Sequence, residues 1–183
     1  RLAGLDLDIP SFRALLLTHL HADHASGLED YAFYGWFALK RPTTLLAHPD
    51  VIADLWDGHL ATTMGRPLPR PDGPALTLGR DDFFDLHALS EQGPREIGPF
   101  SIECRRTIHP VPTFAQRITA GGRTLGYSCD TSYDPTLIEW LSPADLIIHE
   151  TNYGLHTPYE KLAALPADLR RKMRLIHYPD DFD

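Results

Sequence analysis

The chain has 183 residues, a formal net charge of −8, 43% hydrophobic residues and only 2 cysteines. This is enough apolar material for one domain with a real core, too few cysteines for a disulfide framework, and no apolar run of membrane-spanning length, so we expect a cytoplasmic protein without a membrane partner. The acidic balance excludes a broad nucleic-acid surface, because nonspecific nucleic-acid affinity comes from clustered Lys and Arg neutralising phosphates.

In chain order, Leu2, Leu5, Leu7 and Ile9 give a short apolar pattern closed by Pro10. The run Ala14, Leu15, Leu16, Leu17 reads as a buried strand, and it delivers Thr18, His19, Leu20, His21, Ala22, Asp23, His24 at its end. This HxHxDH pattern puts four potential ligands, His19, His21, Asp23 and His24, on a scaffold rigid enough to hold them toward one point. Imidazole and carboxylate together suit zinc and its neighbours. Ser26 with Glu29 has the spacing of a capping box, and Leu28, Tyr31, Ala32, Gly35, Trp36 and Leu39 then recur at helical spacing.

Thr43 to Ala47 reads as a strand, and Pro49, Val51, Ile52, Leu55 and Trp56 as a helix opening on proline. From Gly58 to Gly79 the prolines Pro67, Pro69, Pro71 and Pro74 and Gly73 argue against any regular element. That segment reads as a lid, a contact arm or a passive connection, and composition does not choose among them. Phe83 to Leu89 and Phe100 to Ile108 read as strands, the second alternating Phe100, Ile102, Cys104 against Ser101, Glu103, Arg105. Gln116 to Thr119 and Thr124 to Ser128 form a hairpin about Gly121 and Gly122. A helix over Pro135 to Leu141, a buried strand over Asp145 to His149, a basic helix holding Arg170, Arg171 and Lys172, and a last strand over Leu175 to His177 complete the chain.

Three further candidate ligands stand at strand ends, as the first four do: His109, Asp130 and His177. We place His19, His21 and His109 on one metal, Asp23, His24 and His177 on a second, and Asp130 between them. The expected cofactor is two zinc ions, with manganese as the alternative. His48, His59 and His87 lie in no such context and read as ordinary surface or core residues. His156 precedes Thr157, Pro158, Tyr159, Glu160, which has the pattern of a second capping box and would aim the N–H groups of a helix end toward an anion.

Seven positions in the order HxHxDH, H, D, H resemble the metallo-β-lactamase superfamily, which implies an α/β layered αββα sandwich with a metal pair between its sheets. The opening strands of that fold are not found before Leu2, so a single domain over 1–183 with an N-terminal truncation is expected. The segments Tyr127-Ser128-Cys129-Asp130-Thr131 and Leu146-Ile147-Ile148-His149-Glu150-Thr151, with the late His156, are similar to the ribonuclease Z and phosphodiesterase branch. The stretch from Leu165-Pro166 through Lys172-Met173 to His177-Tyr178-Pro179-Asp180-Asp181 resembles small bacterial and phage hydrolases of that branch, including anti-Pycsar cyclic-nucleotide phosphodiesterases. Cys129 departs from the branch, which usually has glycine there. Leu125, Tyr127 and Cys129 share a strand face, so the thiol is expected to point away from Asp130.

The expected reaction is hydrolysis of a phosphodiester, in a cyclic nucleotide or RNA, by a hydroxide bridging two metals about 3.5 Å apart. Two dications against Asp23, Asp130 and one hydroxide leave roughly one positive charge, so an acidic chain still attracts an anion locally. Asp23 would orient or deprotonate the water, and His156, held by Glu150, would protonate the departing oxygen. The expected partners are a small-molecule or nucleotide substrate and a second copy of the chain in a homodimer. The alternative is a lactonase or thioesterase that polarises a carbonyl on the same ligands. His21 argues against a redox diiron enzyme, since oxygen-reducing relatives carry a carboxylate there. A metal-stabilised binding module without turnover has no use for the His156–Glu150 pair.

Overall fold

The computed structural model describes residues 9–180 and divides between Ala88 and Leu89 into two compact units. Leu2, Leu5, Leu7 and Asp181 lie outside the described residues. Among the described residues no helix is long and apolar enough to cross a membrane.

The first unit is built on a parallel sheet in the order β1 (Leu15–Leu16), β2 (Thr43–Ala47), β3 (Phe84–Ala88). Thr43, Leu45, Leu46 and Ala47 of the central strand are all buried, the near-continuous pattern of a parallel strand covered on both faces. Helix α3 (Pro49–Leu55) opens on its proline as expected, with His48 Nδ1 accepting the Asp50 N–H at 3.2 Å, and it buries Val51 and Leu55.

Two local expectations for this unit fail. Ser26 does not cap a helix. It closes the turn α1 (Ala22–Ala25), where its N–H is bonded to the Ala22 carbonyl, and α2 (Leu28–Tyr34) follows from Gly27 without a side-chain cap. Ser26 and Gly27 both keep helical backbone angles, so Ser26 lacks the extended conformation an N-cap requires. Glu29, freed from the capping role, accepts the Thr63 hydroxyl at 2.8 Å. The segment from Gly58 is also not irregular throughout. After α3 the chain continues through a π-helical turn, Trp56–Leu60, into α4 (Ala61–Met64), burying Leu60 and Met64. Proline breaks a helix by its missing N–H, and the first proline here is Pro67, so nothing forbids a helix before it. Beyond Gly65, Leu68 and Leu76 exchange backbone hydrogen bonds of 2.8 and 2.9 Å and pinch the proline-rich loop into an arm. A short turn, α5 (Arg80–Phe83), then feeds β3.

The second unit is a six-stranded sheet in the order β4 (Arg95–Ile97), β5 (Phe100–Arg106), β6 (Phe114–Ala120), β7 (Arg123–Tyr127), β8 (Leu146–Glu150), β9 (Met173–Ile176). Strand β4, three residues long and mostly polar, has no periodicity to reveal it. The hairpin β6–β7 turns on Gly121 and Gly122, both with positive φ. From β7 onward pairing is parallel, with α6 (Pro135–Leu141) crossing between β7 and β8, and α7 (Tyr159–Ala163) and α8 (Ala167–Lys172) between β8 and β9. Leu137, Leu141, Ala144, Ile147, Ala115 and Met173 make the core of this unit. A side chain at Gly126 would put its Cβ 3.0 Å from Leu141 Cδ2, so glycine sets how closely this layer approaches β7.

Asp134 caps α6, accepting the Thr136 N–H at 2.9 Å and the Thr136 hydroxyl at 2.8 Å. Burial alone would raise its carboxyl pKa, but hydrogen bonds from Thr136 and Leu137 outweigh burial and hold it below the usual carboxylate range. A depressed folded pKa adds stability above the unfolded value, and that contribution is lost as pH falls through the folded value. Asp134→Ala is therefore expected to cost about 1 kcal/mol at neutral pH. In urea unfolding the gap from the parent should shrink as pH is lowered from neutral through the carboxyl's titration; a gap that stays constant over that range would rule the carboxylate out as the cap.

Candidate functional site

In the second unit, the topology gathers the candidate residues at one edge of one sheet. Strand β5 is antiparallel to β6 and β6 to β7, while β7, β8 and β9 are mutually parallel. The C-terminal ends of β5, β7, β8 and β9 therefore all leave the sheet on the same side. His109 lies just past β5, Asp130 past β7, Glu150 at the end of β8, and His177 immediately past β9. Residues far apart in sequence meet there because strand direction, not sequence distance, fixes where a strand end emerges.

Asp130 Oδ2 lies 3.8 Å from His109 Nε2 and 3.7 Å from His177 Nε2. These separations are too long for hydrogen bonds, but donors bound to a common ion at about 2 Å stand roughly 3–4 Å apart. Two imidazoles flanking one carboxylate oxygen therefore fit metal ligation. His156 is held differently. Its Nδ1 is 3.1 Å from Glu150 Oε1, a hydrogen-bonding distance, and its ring centroid is 5.0 Å from that of His177 and 5.8 Å from that of His109. Glu150, His156 and His177 also offer ligand atoms that all lie within 4.8 Å of one another.

The surrounding hydroxyls lock these groups in place. The Thr131 N–H donates to Glu150 Oε1 at 2.8 Å, and the Glu150 N–H donates to Ser128 Oγ at 2.9 Å. Thr107 donates its hydroxyl to the Asp130 carbonyl at 2.7 Å, and Thr157 donates to the Thr131 carbonyl at 3.0 Å. Thr157 is thereby used up, and the second expected capping box does not form: α7 starts after Pro158 without a side-chain cap and is only 5 residues long. Sequence reasoning missed these threonines as supports because a hydroxyl bonded to a carbonyl many residues away leaves no local pattern.

Burial pushes the Glu150 carboxyl above its ordinary value; the Thr131 N–H and His156 offset part of this, and Asp130 adds to the rise. Burial likewise lowers the pKa of His149, whose Nδ1–H donates to the Glu150 carbonyl at 2.7 Å. Cys129 packs in the apolar core with Leu137 and Leu141, but β7 ends at Tyr127, so the strand alternation expected to carry Leu125 and Tyr127 on to Cys129 does not reach it. Burial first, and Asp130 second, hold its thiol well above the usual range. Its φ of 45° is left-handed, which explains why glycine suits this position in the branch it resembles.

In the first unit, His19 follows β1, His21 precedes α1, and Asp23 and His24 lie within α1. The His19 ring centroid is 4.9 Å from His21 and 4.2 Å from His24, so the three imidazoles cluster. Thr18 Oγ1 is 3.0 Å from His19 Nδ1, so any metal ligation by this ring would be through Nε2. Asp23 Oδ2 is 3.2 Å from His24 Nε2. The other histidines play local parts: His48 caps α3, and His87 pairs with Asp85 at 3.0 Å.

The family model described as anti-Pycsar protein Apyc1 matches residues 1–183. The anti-Pycsar protein Apyc1 of Paenibacillus sp. (strain J14) is 31% identical over 180 residues, covering 93% of this chain and 69% of that protein. Among solved structures, the metallo-β-lactamase fold protein YhfI from Bacillus subtilis aligns with a TM-score of 0.74 at 23% identity, over 100% of this chain and 72% of its own. Human tRNase Z, short form (ELAC1), aligns with a TM-score of 0.64 at 18% identity, over 94% of this chain and 74% of its own. The chain is thus a hydrolase of the metallo-β-lactamase fold and belongs to the anti-Pycsar protein Apyc1 family.

Proposed function

We propose that this protein is a metal-dependent phosphodiesterase that hydrolyses cyclic mononucleotides. Its metal ligands are His19, His21, Asp23, His24, His109, Asp130 and His177, holding two zinc ions or, in their place, manganese. The family's anti-Pycsar name supports the cyclic-nucleotide substrate. The observation that carries the reaction type is the pair His156–Glu150, placed beside His177 and joined by a 3.1 Å contact.

When bound, the metal pair supplies positive charge for the phosphate oxygens and lowers the pKa of a water to about 7. Asp23 would serve to orient a water or to take its proton. Glu150 accepts from His156 Nδ1 and is itself fixed by the Thr131 N–H, so the ring is held with Nε2 left to pass a proton to the departing oxygen. A cyclic phosphodiester releases an alkoxide, a poor leaving group, and that is the case in which a positioned acid matters most.

The test is a turnover screen of the metal-loaded protein on cyclic mononucleotides, linear dinucleotides, precursor transfer RNA and a lactone. Hydrolysis of cyclic mononucleotides in preference to the others is expected. Preference for the lactone would transfer the site to carbonyl chemistry.

A further inference from the structure

His177 is the one proposed ligand whose backbone is left-handed, with φ of 67°. Histidine tolerates that region better than most residues, but the conformation still has to be held by its surroundings. Strand β9 runs parallel to β8 through Ile176, where the ladder is extended by the Thr151 N–H bonding the Ile176 carbonyl at 3.1 Å. At His177 the chain turns out of the sheet. There the Asn152 side chain replaces the ladder: its Nδ2 donates to the His177 carbonyl at 2.7 Å. The other end of the same amide, Oδ1, accepts the Tyr153 N–H at 2.8 Å, and the Asn152 N–H bonds the Thr157 carbonyl at 3.3 Å. The amide orientation is therefore fixed, because flipping it would set oxygen against the His177 carbonyl and NH₂ against the Tyr153 N–H.

We propose that Asn152 is a positioning residue for His177, clamping its left-handed backbone so that the imidazole is presented to the second metal. The inference rests on the reading of His177 as a ligand. It ties the loop after β8, which carries His156, to the residue that ends β9, so that the proton donor and the ligand share one anchor.

The experiment is zinc titration of the chelator-stripped full chain by competition with a chromogenic chelator, for the parent, Asn152→Ala, Asn152→Asp, His177→Ala and the Asn152→Ala/His177→Ala double variant. Asn152→Asp keeps the acceptor for the Tyr153 N–H but presents no proton to the His177 carbonyl, and it keeps the test decisive should Asn152→Ala fail to fold. Both single Asn152 variants are expected to weaken the second zinc by about 10–100-fold, the range typical of groups that orient a metal ligand, while the first stays within about threefold. The double variant should bind no more weakly than His177→Ala alone, since a residue acting through His177 has nothing left to position. A purely structural role would add its loss to that of His177→Ala and would overturn the proposal. If His177→Ala releases an ion and both Asn152 variants retain it within about twofold, the positioning role alone falls. If His177→Ala itself leaves both ions in place, the ligand assignment falls and the proposal with it.

Discussion

Replacing Asp130 with alanine is expected to lower turnover by at least about 10³-fold, equivalent to roughly 4 kcal/mol of transition-state stabilisation, and to remove most of the second metal. The reason is its placement. One carboxylate oxygen stands 3.7 Å and 3.8 Å from the Nε2 atoms of two histidines that arrive on different strands, so its loss unties both. Asp130 is also buried, with Thr107 fixing its carbonyl, so neighbouring groups cannot easily swing in as replacements. Metal analysis of the purified variant is the check. Two ions per chain together with undiminished turnover would sink the bridging assignment.

The second large effect concerns His156. On a cyclic nucleotide, whose departing oxygen leaves as an alkoxide, His156→Ala is expected to lower turnover by about 10²–10⁴-fold with metal content unchanged. On bis(p-nitrophenyl) phosphate the loss should be far smaller, because p-nitrophenolate departs without a proton. Equal losses on both substrates would make His156 a phosphate-positioning residue. Loss of metal would instead make it a ligand, an outcome the grouping of Glu150, His156 and His177 allows for and which would displace His177 from the set. Glu150→Gln should follow the His156 pattern more weakly, since an amide can still accept from Nδ1 but carries no charge.

Much of the architecture was legible in the sequence because it follows from local periodicity. Strand β2 spans Thr43–Ala47 as read, α6 spans Pro135–Leu141 as read, and the Gly121-Gly122 turn sits where two alternating runs meet. The candidate ligands were legible for a related reason: imidazole and carboxylate at strand ends are chemically conspicuous, and their order along the chain resembles a known arrangement.

What the sequence could not decide were the contests between a local pattern and a distant partner. Ser26 and Thr157 both have capping-box spacing, yet Ser26 is kept in helical backbone by the turn before it and Thr157 spends its hydroxyl on Thr131. The helix past Gly58 forms because Leu60 and Met64 find a core, a gain that composition alone does not display. Sequence by itself marked out the residues whose chemistry suits a metal and the strand ends on which they stand. Only tertiary structure decided how the second-unit groups are aimed: strand direction brings His109, Asp130, Glu150 and His177 to one edge, and Thr107, Thr131 and Asn152 fix them there through bonds to carbonyls and carboxylates that no local spacing encodes. A period of two or of 3.6 residues is written into neighbouring positions, whereas a hydrogen bond across twenty residues exists only once the chain has folded.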